Sequence, residues 1–242
     1  MRHPFFRSSR PLVFAHRGGS ALAPENTMAA FANGLALGAD GVELDVHLSR
    51  DGRVVVHHDR TLDRTTALRG PIAARDAAEL AAAGVPMLVD VLAADRDARV
   101  IVELKVNHRE LARAVVDVVR AADAIGRVCV GSFGLRALRA VRALEPALAT
   151  SAAREEVRWA LYRSWVRWPA AGVGYQGFQV PEFAGATRVV SPNFVACAHR
   201  GELAVQVWTV NREDDARRLL DWGVDALITD RPDIIVPLVR GA

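Results

Sequence analysis

The sequence predicts an α/β barrel of eight parallel strands with a small β-hairpin excursion after the second strand, and three observations carry that expectation. Short apolar runs of β type recur along the chain, separated by Ala-, Leu- and Arg-rich segments with helical periodicity. That alternation is the signature of a parallel sheet covered by helices. The chain has 242 residues, close to the roughly 250 that one such barrel needs. Hydrophobic residues make up 51% and charged residues 24%, which supplies a sizeable core and gives no sign of disorder.

In chain order the strand-like runs are LVFAH (12–16), GVELDV (41–46), RVVVHH (53–58), RVIVELKV (99–106), RVCVGSF (127–133), LATSAA (148–153), GFQVP (177–181), AVQVWTV (204–210) and DALIT (225–229). Nine is one too many for a simple eightfold barrel. The second and third runs are joined only through HLSRDGR, whose Asp51-Gly52 pair suits a hairpin turn. Parallel neighbours need a crossover of a dozen residues or more, so RVVVHH is read as an antiparallel excursion and eight runs remain. Helical segments such as ENTMAAFANGLALG and REDDARRLLDWG end in Gly, a helix stop. PAAGVGYQG, from Pro169 to Gly177, reads as a long loop. No internal repeat, low-complexity tract or linker divides the chain, so residues 1–242 are expected to form a single domain.

The net charge is +3 and the arginines are scattered rather than clustered, so no nucleic-acid partner is expected. Two cysteines, Cys129 and Cys197, lie in apolar surroundings. They cannot build a disulfide framework, and buried free thiols in a reducing compartment are expected. The basic opening lacks the apolar stretch and cleavage site of a signal peptide, and no run of 18 apolar residues occurs. A soluble, cytoplasmic protein is the expectation.

Chemistry concentrates at the ends of the strand-like runs. Glu43 and Asp45 are two apart in GVELDV, so both side chains leave the same face of a strand, here the barrel interior. Two carboxylates buried side by side need a cation or a proton, and a hard divalent ion with oxygen ligands, Mg²⁺ or Ca²⁺, is the usual solution. Glu103 and Lys105 repeat the same spacing in VELKV and add a third carboxylate and a cation. Either pair alone could be a buried ion-pair network; three carboxylates at strand C-terminal ends favour a site. Lys105 is the one lysine among 31 Lys and Arg residues, which suggests a position that needs a compact ammonium rather than a planar guanidinium.

His16 ends the first run and His58 the hairpin arm, where a pair of imidazoles supplies a general acid and a general base near neutral pH. His57 alternates to the other face and is assigned a packing role. Arg17 offers a fork of donors suited to phosphate, and Gly18 and Gly19 are expected to let backbone approach a ligand.

The series HRGGSALAPENT, GADGVELDVHLSRDGRVVVHHDRTLDRTT, VELK, SF, VWTVN and GVDALITDRP resembles the glycerophosphodiester phosphodiesterase family from His16 to Pro232, thinly between Phe133 and Val207. The resemblance implies a TIM (β/α)8 barrel and metal-dependent cleavage of glycerophosphodiesters to glycerol 3-phosphate and an alcohol. Matched residue by residue, it implies Glu43, Asp45 and Glu103 as metal ligands and His16 and His58 as acid and base. Arg17 and Lys105 match phosphate contacts, and Trp208 a substrate-facing aromatic. The segment after LDRTT is shorter than the family usually has, which bears on substrate choice more than on chemistry. Two other readings stand beside this one: lysophospholipase D-like cleavage of lysophospholipids at the same site, and a non-catalytic barrel that only binds phosphodiesters.

One segment falls where the resemblance is thin. In REEVRWALYRSWVRWP (154–169), Trp159, Tyr162, Trp165 and Trp168 alternate with arginines. The favoured expectation is an amphipathic barrel helix that packs its aromatics inward. The alternative is a lid or a weak membrane-surface contact.

Overall fold

The structure is a computed structural model in which residues 3–241 are described. Its strands are β1 (Leu12–His16), β2 (Gly41–Leu48), β3 (Val54–Val56), β4 (Arg99–Leu104), β5 (Val128–Gly131), β6 (Ala149–Thr150), β7 (Gly177–Pro181), β8 (Phe183–Ala184), β9 (Thr187–Arg188), β10 (Ala204–Trp208) and β11 (Ala226–Thr229). Eight of them are parallel and follow one another in the order β6-β5-β4-β2-β1-β11-β10-β7. A parallel bridge between Ser151 and Gly177 brings the two ends of that order together, so the sheet is a nearly closed TIM barrel. The excursion is where the sequence places it: β3 pairs antiparallel with β2, Val46 opposite Val56, across a turn in which Gly52 has a φ of +77°. A second hairpin, β8 with β9, was not foreseen, because two-residue strands are too short to show alternation.

Nine helices among the described residues cover the barrel: α1 (Met28–Ala36), α2 (Ala77–Ala82), α3 (Leu88–Ala94), α4 (Arg109–Ala121), α5 (Leu135–Leu144), α6 (Arg154–Trp165), α7 (Pro192–Arg200), α8 (Glu213–Asp221) and α9 (Pro232–Arg240). Local sequence explains several of them. Thr27 caps α1 by accepting the N–H of Ala30. In α4 the spacing of Leu111, Ala112, Val115, Val116 and Val119 gathers the apolar residues on one buried face. Along β2, Val42, Leu44 and Val46 face this helical layer, so the intervening Glu43 and Asp45 must face the lumen.

The floor of the lumen is apolar. Phe5, from a short 3-10 turn at Pro4–Phe6, stacks on Phe14 with ring centroids 5.7 Å apart, and Ile101, Cys129 and Ile228 pack around them. Full burial of an aromatic of this size is worth about 1.5–3 kcal/mol, so the plug stabilises the barrel while sealing its N-terminal end. Polar side chains are left to the C-terminal mouth. Cys129 and Cys197 are buried free thiols, and among the described residues no helix is long and apolar enough to cross a membrane.

The expectation that the aromatics of 154–169 pack inward is corrected by the structure. The positions of α6 that face the barrel are Ala160, Leu161 and Ser164. Trp159, Tyr162 and Trp165 fall on the outer side, and Trp159 is 69% exposed. Small and aliphatic residues suffice to seat this helix, which leaves its aromatics without a core to enter.

Candidate active site

All eight residues singled out in the sequence line one cleft of about 460 Å³ at the C-terminal mouth of the barrel: His16, Arg17, Glu43, Asp45, His58, Glu103, Lys105 and Trp208. Strand register does most of this work. His16 of β1 lies beside Glu43 of β2, and Asp45 of β2 beside Glu103 of β4. Lys105 is the first residue past β4, and His58 follows β3 on the loop that returns over the mouth.

Glu43, Asp45 and Glu103 each offer an oxygen within 4.8 Å of the others. Burial and the neighbouring Asp45 charge push the Glu43 carboxyl up to about 8. Burial also raises Glu103, opposed in part by Lys105. Burial acts in the same direction on Asp45, yet Lys105 and Arg17, with a hydrogen bond from the Asn26 amide, hold it below the ordinary carboxylate value. The Lys105 ammonium stands 3.2 Å from Asp45 and 3.4 Å from Glu103. Against the cost of burial, these two carboxylates raise its pKa and keep it charged. Lys105 and the Arg17 guanidinium, which is shared with Glu25, leave the three converging carboxylates underbalanced, and all-oxygen donors at this separation fit a hard divalent cation.

Each histidine has its Nδ1 held by an aspartate. His16 donates through Nδ1 to Asp230 at 2.6 Å, and His58 to Asp59 at 2.7 Å. This fixes the tautomer and leaves Nε2 of each ring to exchange a proton. His16 Nε2 lies 3.7 Å from Glu43. Burial would lower the pKa of His16, but Glu43 and the Asp230 hydrogen bond together raise it. The two aspartates differ in their own partners: Asp230 also accepts from Ser20 and Asn211, whereas Asp59 is bound by the Arg64 guanidinium, which reaches on to Glu25. His57 is turned away, donating to the Asp59 carbonyl and accepting from the Thr65 hydroxyl. It supports the His58 loop.

Arg17 has a φ of +51°, unusual for a non-glycine residue, at the start of the tight turn that ends β1. Its backbone N–H donates to Glu43 and its guanidinium pairs with Glu25 at 3.2 Å. Nε is 3.3 Å from Asp45 but makes no hydrogen bond there. The glycines that follow are required by packing. A Cβ on Gly18, at φ +88°, would come within 2.6 Å of the Ala30 side chain, and one on Gly19 would press on Pro232. Their task is close packing of the turn against α1 and the start of α9.

Opposite the charged wall the cleft is apolar, lined by Phe133, Ala152, Val157, Val180 and Val189. Phe133 meets Trp208 edge-on at 6.1 Å, and the Arg154 guanidinium lies over the Phe133 ring at 5.2 Å. The mouth thus offers carboxylates, two oriented imidazoles and cations on one side, and a greasy surface on the other.

Residues 16–234 match the sequence model of the glycerophosphoryl diester phosphodiesterase family. The chain belongs to that family. A glycerophosphodiester phosphodiesterase of Caldanaerobacter subterraneus is 32% identical over 260 residues, covering 96% of this chain and 98% of the relative. Among solved structures, a putative glycerophosphoryl diester phosphodiesterase from Silicibacter pomeroyi superposes with a TM-score of 0.81 at 26% identity, over 98% of this chain and 96% of that one. A phosphodiesterase from Oleispira antarctica in complex with the product sn-glycerol-3-phosphate superposes with a TM-score of 0.78 at 27% identity, over 96% and 97% of the two chains.

Within this phosphodiesterase family member, sequence reasoning missed the residues that hold the others. Asp230, Asp59, Asn26 and Glu25 were assigned no role. Asp230 could have been found from topology, since β11 runs parallel to β1 with Thr229 opposite Ala15, which sets the next residue beside His16. Asn26 had only its place in the ENT stretch to show for itself. Its buried amide reaches Asp45 at 2.9 Å from a left-handed backbone, φ +57°.

Proposed function

We propose that the protein hydrolyses glycerophosphodiesters to glycerol 3-phosphate and an alcohol, with Glu43, Asp45 and Glu103 holding a divalent cation, Mg²⁺ or Ca²⁺. The observation that carries this reading is the convergence of those three carboxylates with two aspartate-oriented histidines in one cleft. When bound, the cation supplies positive charge that stabilises the charge developing on the phosphoryl oxygens. The chain's own residues do the rest. Arg17 and Lys105 bind and orient the phosphate. One of His16 and His58 takes the proton of the attacking hydroxyl at Nε2, and the other protonates the leaving alcohol oxygen as its bond to phosphorus breaks. Asp230 and Asp59 hold the Nδ1 protons and keep both rings aligned for transfer.

Lysophospholipids are the second reading, favoured by one feature: the apolar wall of Phe133, Val157, Val180 and Val189 could run beside an acyl chain. Product analysis on glycerophosphocholine, glycerophosphoethanolamine and a lysophosphatidylcholine, with each metal, decides between them. Release of glycerol 3-phosphate from the water-soluble diesters supports the first reading. Turnover of the lysolipid alone selects the second, and turnover of none leaves a barrel that only binds.

A further inference from the structure

We propose that the outer face of α6 docks the protein on a bilayer containing anionic lipid. Three of the five tryptophans in the chain lie between positions 159 and 168 and point away from the barrel. Trp159 packs edge-on to Tyr162 at 6.4 Å, and Tyr162 lies against Trp165 at 5.1 Å, so the rings form one continuous stripe along the helix. Val166, at 74% exposure, and Trp168 extend it past the helix end. Solvent-facing aromatics on this scale are not needed for the fold, since Ala160, Leu161 and Ser164 already seat α6.

The cations on the same segment say what covers the stripe. Among the described residues, no carboxylate lies within ion-pair distance of Arg158, Arg163 or Arg167, whereas Arg142 beside the same helix is paired with Glu156. Arg163 instead lies over the Trp168 ring at 6.0 Å. Amphipathic aromatic rings at headgroup depth beside unpaired guanidinium forks that donate to lipid phosphate are the chemistry of an anionic membrane interface. A second copy of the chain fits less well, because a two-fold axis through this stripe would set the three arginines against their own counterparts. The helix begins at the cleft, where Arg154 and Val157 line the mouth. From Val157 to Trp165 is about 12 Å at 1.5 Å per residue, so a docked protein carries its active-site mouth close to the lipid surface.

The test is cosedimentation of the full chain with vesicles of phosphatidylcholine alone and of phosphatidylcholine mixed in equal parts with phosphatidylglycerol. Binding to the mixed vesicles, weak binding to the zwitterionic ones and release by salt are expected. A triple variant, Arg158→Gln with Arg163→Gln and Arg167→Gln, should lose on the order of 100-fold in affinity, since each cation near an anionic surface is worth about fivefold. The variant Trp159→Ala with Trp165→Ala and Trp168→Ala should lose at least about tenfold, from the apolar area it no longer buries. Circular dichroism confirms that both remain folded, independently of catalysis. No binding to the mixed vesicles at low salt would overturn the proposal. So would binding that neither variant weakens, or a dimer in solution that the tryptophan variant dissolves while vesicles capture nothing.

Discussion

Glu43→Gln should stabilise the metal-free protein at alkaline pH while disabling the loaded one. Glu43 is 5% exposed, its charge stands beside that of Asp45, and its carboxyl titrates at about 8 against an ordinary 4.5. Between those values the folded chain holds a proton that the unfolded chain has released. Stability from this group is therefore complete below about 4.5 and is lost as pH rises through about 8. At ~1.4 kcal/mol per pH unit the full excursion approaches 5 kcal/mol. Water at the open mouth and movement of Asp45 screen part of it, so a net gain of roughly 2–4 kcal/mol is expected for the neutral amide at pH 9. Denaturant melts of both proteins in excess chelator, at pH 5 and pH 9, measure it. The wild type should weaken between the two, and the difference from Glu43→Gln should open only at the higher pH. If the variant is instead the weaker protein at pH 9, the carboxylate is not crowded and the reason for a cation at this place disappears.

Removing either imidazole, by His16→Ala or His58→Ala, should lower kcat by at least about 10²-fold and abolish one limb of a bell-shaped pH profile; a variant that keeps more than about a tenth of the rate removes that residue from the acid-base pair. Asp230→Asn leaves an amide where Nδ1 of His16 now finds a carboxylate, and kcat should fall roughly 10- to 100-fold with KM little changed; unchanged kinetics would mean that the contact is only structural. Lys105→Arg keeps the charge but forces a planar fork into the gap between Asp45 and Glu103, so kcat should fall by at least about 10²-fold with folding retained. Near-wild-type rates there would mean that any cation suffices.

Much of the barrel could be read from the chain, because short β-type runs alternating with helical periodicity are a local signal that survives into the fold. The hairpin β2–β3 was legible for the same reason: a connection this short, with Asp51-Gly52, cannot make a crossover. The cleft residues came from period-two spacing on β2 and β4, which fixes the face of Glu43, Asp45 and Glu103 without knowledge of the neighbours. What spacing cannot show is who holds them. His16 and Asp230 are 214 positions apart and meet only because β11 closes beside β1. The aromatics of α6 misled for a different reason. Tryptophan and tyrosine at every third position read as core, but burial on a helix depends on which face the barrel takes, and Ala160, Leu161 and Ser164 take it. At Gly18 and Gly19 the missing side chains make room for α1 and Pro232, neighbours that the sequence alone does not show.

Metal-dependent diester cleavage at Glu43, Asp45 and Glu103 has a direct test. Glycerol 3-phosphate release from glycerophosphocholine should be measured on one preparation as purified, in excess chelator, and after Mg²⁺ or Ca²⁺ is restored above the chelator, with Glu43→Gln run alongside. Chelation should stop the reaction, one of the two metals should restore it, and the variant should stay inactive under every condition although folded. Undiminished release in excess chelator, or a fully active Glu43→Gln, would contradict it.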